Sequence, residues 1–400
     1  MFNLFIIFNF IWFACSVGLL ELGAYTPELE LFGEPTGALP RYILSSMLFI
    51  AFATFGFEIL KIKGPLIEIK KMTIISFFIF YIVSLVMLFL IYVVYGSALG
   101  AHVDRIYFRN EVAPSGYFQL ITIMTLLSYP LGLIRIQMIK YKKIIDIVFY
   151  FFVIALILGG EKFSLIIMAL LLYRFSHVQD NLLRRERIIK LIPVASFLCI
   201  LVVCLSFIQY KNIINVSNNN APSPFKLLLD RVAQQAQLNY FFDKYIFVDG
   251  HENDGDMWFE RELLGDQGTK RGIDLLMSVS TPYEIYSSYE SAGVTFGDGF
   301  PAILFYYFSW LAYIVIIPLG VIFGLMSGLC MRALYSGRIL ENILLMFLLY
   351  NTLLSIFLNG ELYLMVDLST SKWLCLLLIS ILWGLRVFGP YKKVKNLGGV

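Results

Sequence analysis

Residues 72–95 read MTIISFFIFYIVSLVMLFLIYVVY, a run without one charged side chain. An uncharged apolar run of this length is the signature of a helix that crosses a bilayer. Working outward, similar runs recur along the chain, and we place ten spans. They are Phe2–Leu20, Tyr42–Leu60, Met72–Tyr95, Tyr117–Ile134, Ile144–Leu158, Phe163–Tyr173, Leu191–Ile208, Pro301–Met331, Leu340–Leu358 and Trp373–Val387. The composition agrees. Of 400 residues, 59% are hydrophobic, 16% aromatic and 15% charged, with a mean hydropathy of +0.78. A soluble domain carries roughly 25% charged residues. The expected class is therefore an all-α polytopic membrane protein. The apolar N-terminal run has no basic residues ahead of it and no small-residue cleavage site after it, so we read it as an uncleaved first span.

Charge sets the expected orientation, because cytoplasmic loops collect Lys and Arg. With the N-terminus inside, the inner segments are KIKGPLIEIKK, RIQMIKYKK, RFSHVQDNLLRRERIIK, RALYSGR and RVFGPYKKVKNLGGV. They hold nineteen of the 31 basic residues. The short outer loops hold Arg41, Arg105, Arg109, Lys162 and Lys372. Both termini are then cytoplasmic. A net charge of +3 sorted by membrane side gives no reason to expect a nucleic-acid partner. The five cysteines all fall in apolar runs without a C-x-x-C pair, which suggests neither a metal site nor a disulfide framework.

This count divides the chain into spans one to seven over 1–210, a large outer loop over 211–300, and spans eight to ten over 301–400. The eighth span contains Pro318 and Gly320 and is long for a bilayer, so we expect one tilted or kinked helix. Within the loop, Ser223 and Pro224 signal a helix start, and a helix to about Tyr245 follows, including DRVAQQAQLNYFFDKY. It looks water-exposed but is not cleanly amphipathic, so we expect it to touch protein on more than one side, as a lid with a solvated face. In a sharper reading Arg231 faces a cavity and holds an anion. The acidic stretch from Asp249 fails the EF-hand register, because Asp254 stands where glycine is required. LGDQGTKRG lacks phosphate-loop spacing. It reads as an exposed loop, or as a phosphate wrap using backbone N–H groups with Lys270 or Arg271. Thr281, Pro282 and Glu284 signal a second helix whose Tyr283, Tyr286 and Tyr289 share a face, for packing or for stacking on sugar rings.

Charge at mid-membrane is nearly absent, which weighs against an ion-coupled transporter. One turn breaks the pattern. Spans five and six are short and joined by GGEK, and fifteen residues rise only about 22 Å. Glu161 and Lys162 are thus expected at the floor of a recess beneath the large loop. The plainer alternative is a snorkelling lysine at an ordinary turn.

GGEKFSLIIMALLLYRF and GVTFGDGFPAILFYYFSWLAYIVIIPLGVIFG, within ten spans and one large outer loop, resemble the bacterial O-antigen polymerases, the Wzy family of oligosaccharide repeat-unit polymerases. Arg261 to Gly272 also fits that family's R-x10-G pattern, while Lys162 stands where relatives often have arginine. The resemblance implies a GT-C-like fold in the bacterial inner membrane with a helical periplasmic loop. It implies transfer of a growing glycan from undecaprenyl diphosphate to a new lipid-linked repeat unit, for an O-antigen or similar lipopolysaccharide component. The implied partners are undecaprenyl-diphosphate-linked oligosaccharide, membrane lipid, a chain-length regulator and a flippase, with no cofactor and no metal. Such chemistry needs cations for the departing diphosphate, assigned to Lys162, Arg231 and Arg271, and a base for the acceptor hydroxyl, assigned to His251 with Asp298 second. His102, Glu161, Glu260 and Glu361 are further outer candidates. Alternative readings are an O-antigen ligase, a lipid-linked oligosaccharide flippase or other transporter, and a non-catalytic scaffold.

Overall fold

The computed structural model describes residues 2–60, 71–100, 107–161, 164–174, 229–230, 232–251, 257–265, 269–292, 296, 299–335, 338–349, 352, 356, 360–365 and 370–387. The expected seventh span, the linker before Pro224, Lys162, Arg231, His102 and Asp298 lie outside these residues. Among them the fold is almost entirely helical, with one two-stranded antiparallel pairing of β1 (Tyr25–Thr26) and β2 (Leu31–Phe32).

The helices follow the apolar runs. They are α1 (Phe2–Glu21), α2 (Ala38–Leu60), α3 (Lys71–Tyr95), α4 (Tyr117–Gln137), α5 (Lys142–Leu158) and α6 (Ser164–Arg174). From residue 237 onward come α7 (Gln237–Phe247), α8 (Gly272–Ser280), α9 (Tyr283–Ala292), α10 (Ala302–Phe308), α11 (Ala312–Tyr335), α12 (Ile339–Leu349) and α13 (Thr370–Val387). Among the described residues, four helical stretches are long and apolar enough to cross a membrane: Ala38–Leu60, Ile74–Tyr95, Tyr117–Arg135 and Ala302–Ala333. Asn9–Glu21, Leu340–Leu349 and Lys372–Trp383 are shorter apolar helices.

The eighth expected span is broken, but not at its proline. Ser309 takes φ 47°, ψ −125°, and a 3-10 turn over Ser309–Leu311 separates α10 from α11. Pro318 lies inside the continuous helix α11.

Two apolar cores result. One joins α3, α4, α5 and α6. The other joins α1, α2, α11 and α12 with α7, α8 and α10, so the segment that carries α7 and α8 is built into the body. The closest pairing is α2 against α11, and it rests on small residues. A methyl group on Gly324 would lie 2.0 Å from the Ala53 carbonyl oxygen, and one on Gly56 would lie 2.4 Å from that of Val321. Gly320 and Gly328 meet Phe49 and Leu60 in the same seam. Glycine at every fourth position lets two backbones touch where a hydrophobic driving force between helices is absent.

Candidate functional site

Helix α7 is the core of DRVAQQAQLNYFFDKY, and it is not a solvated lid. Gln237, Leu238, Asn239, Tyr240, Phe242 and Asp243 are buried, and a 3-10 turn over Gln234–Ala236 precedes them. Buried polar groups need partners, and each of these has one in the body. Asp243 receives Arg41 Nε at 2.8 Å and Nη2 at 2.6 Å. The Tyr240 hydroxyl donates to the Glu34 carbonyl at 2.8 Å and accepts the Glu34 amide at 2.7 Å. Asn239 donates to the Phe300 carbonyl at 3.2 Å and accepts the Ala302 amide at 3.0 Å. Gln237 Nε2 donates to Glu28 Oε2 at 2.6 Å, and the Tyr289 hydroxyl donates to Glu28 Oε1 at 2.8 Å. Lys244 pairs with Glu34, which holds its ammonium pKa above the usual lysine value. The polar letters that suggested water thus dock α7 on the loop between α1 and α2, on Arg41 of α2 and on the start of α10.

Beyond α7 the chain forms a second polar centre around Glu262, which is fully buried. Its Oε1 accepts the Gly272 amide at 2.8 Å and the Tyr307 hydroxyl at 3.0 Å. The Tyr363 amide and the Arg271 guanidinium also act on it. Burial outweighs these and pushes its pKa above the usual carboxylate value. Gly272 takes φ +55°, and a methyl there would sit 3.2 Å from Glu361 Cα, so the turn carrying Lys270 and Arg271 presses on the chain at Glu361. The Arg271 guanidinium lies 4.9 Å from the centre of the Tyr363 ring, and Arg261 Nη1 approaches the Tyr306 hydroxyl at 3.5 Å. Lys372 is buried nearby in sequence, donating to the Leu364 carbonyl at 2.9 Å. The outcome is one buried carboxylate held by the Gly272 amide and the Tyr307 hydroxyl at the end of α10, with Arg271 acting on it and Arg261 on the adjacent Tyr306.

Of the residues singled out from sequence, Arg271 belongs to this centre. His251 is exposed, with its ring stacked on Tyr245 at 3.9 Å and 12°. Glu260 is exposed. The tyrosines do not form one open face. Tyr283 is 80% exposed, whereas Tyr286 is buried, bonded to Asp274 at 2.8 Å and covered by Lys270 at 3.9 Å. Tyr289 is half-buried, with its edge on Phe296. Packing describes the last two. Of the GGEK turn, residues 159–161 are described. Gly159 packs on the Tyr117 and Tyr92 hydroxyls, and Glu161 behind it is buried. Its neighbours include α3 and α4, through Tyr92 and Tyr117. Among the described residues no group of three or more His, Cys, Asp or Glu could hold a metal ion.

Glu262, Tyr307, Asn239, Asp243 and Arg41 were not picked out as site residues by sequence reasoning. Asn239 and Asp243 stand four residues apart, on one helix face, and that spacing was the available signal.

Residues 266–377 match the model of a family of unknown function, DUF6418. The matched stretch contains Arg271, Tyr306, Tyr307, Glu361, Tyr363 and Lys372, and begins just after Glu262. No curated protein and no solved structure matches the chain.

Proposed function

We propose that this protein polymerises lipid-linked oligosaccharide repeat units at the outer face of the bacterial inner membrane. In this reading ten spans in a GT-C-like arrangement, with both termini cytoplasmic, carry a periplasmic segment that meets undecaprenyl-diphosphate-linked glycan. The observation that supports it is the Arg271 centre, a cation backed by a buried carboxylate at the junction of the outer segment with α10. Displacement at the anomeric carbon breaks its bond to the diphosphate and forms one to the acceptor hydroxyl oxygen. The departing diphosphate gains negative charge, which fixed cations stabilise. Arg271 supplies a planar two-point donor for it, with Lys162 and Arg231 as further cations. Glu262 is a positioning residue, holding the Gly272 turn and Tyr307. The acceptor proton goes to His251 or Asp298.

Deletion of the gene in its host, with surface polysaccharide resolved on a gel, tests this. The expected product is lipid A core capped by a single repeat unit. Complete loss of repeat attachment points instead to a ligase or a flippase. Arg271→Ala at normal protein level is expected to reproduce the deletion, and Arg271→Lys to restore only part of the chain length. Wild-type chain length in Arg271→Ala, Lys162→Ala and Arg231→Ala would remove the assigned site.

A further inference from the structure

The segment over residues 257–264, MWFERELL, is inside out by the standard of a water-exposed loop. Met257 is 44% exposed, Phe259 48% and Leu264 65%, while the carboxylate of Glu262 is fully buried. Water favours the reverse arrangement, with charge outside and large apolar side chains inside. The π-helical turn Phe259–Leu263 places Glu262 toward the Gly272 amide and Tyr307. Met257, Phe259 and Leu264 are left exposed.

We propose that this segment is seated in the outer-leaflet interface of the bilayer, with Met257, Phe259 and Leu264 among lipid acyl chains. The occupant follows from continuity. Trp258 packs on Phe308 with ring centres 5.5 Å apart, and Phe308 ends α10 within the stretch Ala302–Ala333 that is apolar enough to span. Directly after it Trp310, Leu311 and Ile314 are exposed, and Trp310 lies 4.6 Å from the Phe247 ring. The exposed apolar surface of a candidate span therefore adjoins the segment, joined to it by the contact of Trp258 on Phe308. Tryptophan, with an apolar body and one donor, favours the headgroup boundary. Exposed Glu260 and half-buried Arg261 sit in the same turn, which fits the boundary and not the hydrocarbon centre. Such a seat brings Arg261 and the Arg271 turn to headgroup level, where a phosphate borne by a lipid would be met. Seating of the segment is independent of the reaction proposed above.

The test is photocrosslinking in the full chain in native membranes, with benzoylphenylalanine at position 259 or 264. Position 93, where Val93 in α3 is 81% exposed on an apolar helix, gives the reference yield of phospholipid adducts. Position 283, where Tyr283 is 80% exposed on the outer segment, gives the background. Adduct yields at 259 and 264 within about twofold of position 93, and at least about fivefold above position 283, are expected for side chains among acyl chains. Yields equal to those at 283, or crosslinks to another protein in place of lipid, would overturn the proposal. If the label at 259 prevents folding, 264 and 257 each report separately.

Discussion

Arg41 grips Asp243 with two parallel bonds, Nε to Oδ1 at 2.8 Å and Nη2 to Oδ2 at 2.6 Å, and so ties α2 to α7 across a sequence separation of 202 residues. Asp243 is buried and Arg41 is half-buried, so breaking the pair leaves a desolvated charge unanswered. Asp243→Asn is expected to cost about 2–3 kcal/mol, below the full value for a wholly buried pair because Arg41 retains some solvent. Arg41→Lys keeps the charge but loses the fork, and is expected to recover less than half of the loss. Melting temperature in detergent measures both. A wild-type melting curve for Asp243→Asn would show that the pair does not hold α7 in place.

The glycine seam makes a prediction of unusual sign. Replacing a helical glycine by alanine normally stabilises by about 0.5–1 kcal/mol. That gain is expected for Gly18→Ala, where the new methyl would lie 3.7 Å from Leu39 Cδ2, an ordinary contact. At Gly324 the methyl would meet the Ala53 carbonyl oxygen at 2.0 Å, and the helices must separate. Gly324→Ala is expected to destabilise by about 1–3 kcal/mol. Matched thermal unfolding of the two variants reads the opposite signs directly. Equal shifts would place the α2–α11 contact elsewhere.

These two relationships mark the limit of what the sequence disclosed. Apolar runs located several of the long described helices closely, because an apolar helix is written in local composition. Met72–Tyr95 fell within Lys71–Tyr95, and Ile144–Leu158 within Lys142–Leu158. What composition could not show was which polar residues face inward. Gln237, Asn239 and Asp243 look hydrophilic as letters, and only their partners Glu28, Phe300 and Arg41, far away in sequence, turn them into core. The same blindness hid Glu262, whose neighbour Glu260 has identical chemistry and points outward. Gly320, Gly324 and Gly328 form a legible repeat of small residues, whereas Pro318 lies inside a continuous helix. The break came at Ser309, through a backbone conformation that no side-chain pattern announced.

Tyr283 and Tyr286 separate packing from recognition. Tyr286 is buried and bonded to Asp274 and Glu290, so Tyr286→Ala is expected to cost about 3–4 kcal/mol. Tyr286→Phe, which removes only the hydroxyl, should cost about 1–2 kcal/mol. Tyr283→Ala, at an exposed position, should stay within about 0.5 kcal/mol of wild type. If the Tyr283 ring meets sugar, that variant lowers polymer yield on the gel while its melting curve is unchanged. Unchanged yield would leave no tyrosine of the three in contact with substrate.

Glu262 gives a pH dependence whose direction follows from its burial. Its pKa in the folded chain lies above the ordinary value of 4.5, so folding takes up a proton between those two pKa values. The stability it contributes is therefore greatest below pH 4.5 and is lost as pH rises through the folded pKa. Glu262→Gln keeps an oxygen to accept from Gly272 and Tyr307 but cannot titrate. Melting temperatures of wild type and variant, compared from about pH 7.5 downward, cancel the contributions of the other ionisable groups that the substitution leaves alone. Wild type is expected to gain on the variant as pH falls. If wild type instead loses ground on acidification, the attraction of Arg271 and of the Gly272 and Tyr307 donors exceeds the cost of burial. The carboxylate would then be charged in the fold and would pair with Arg271 as a permanent anion, leaving that arginine less positive charge to offer a diphosphate.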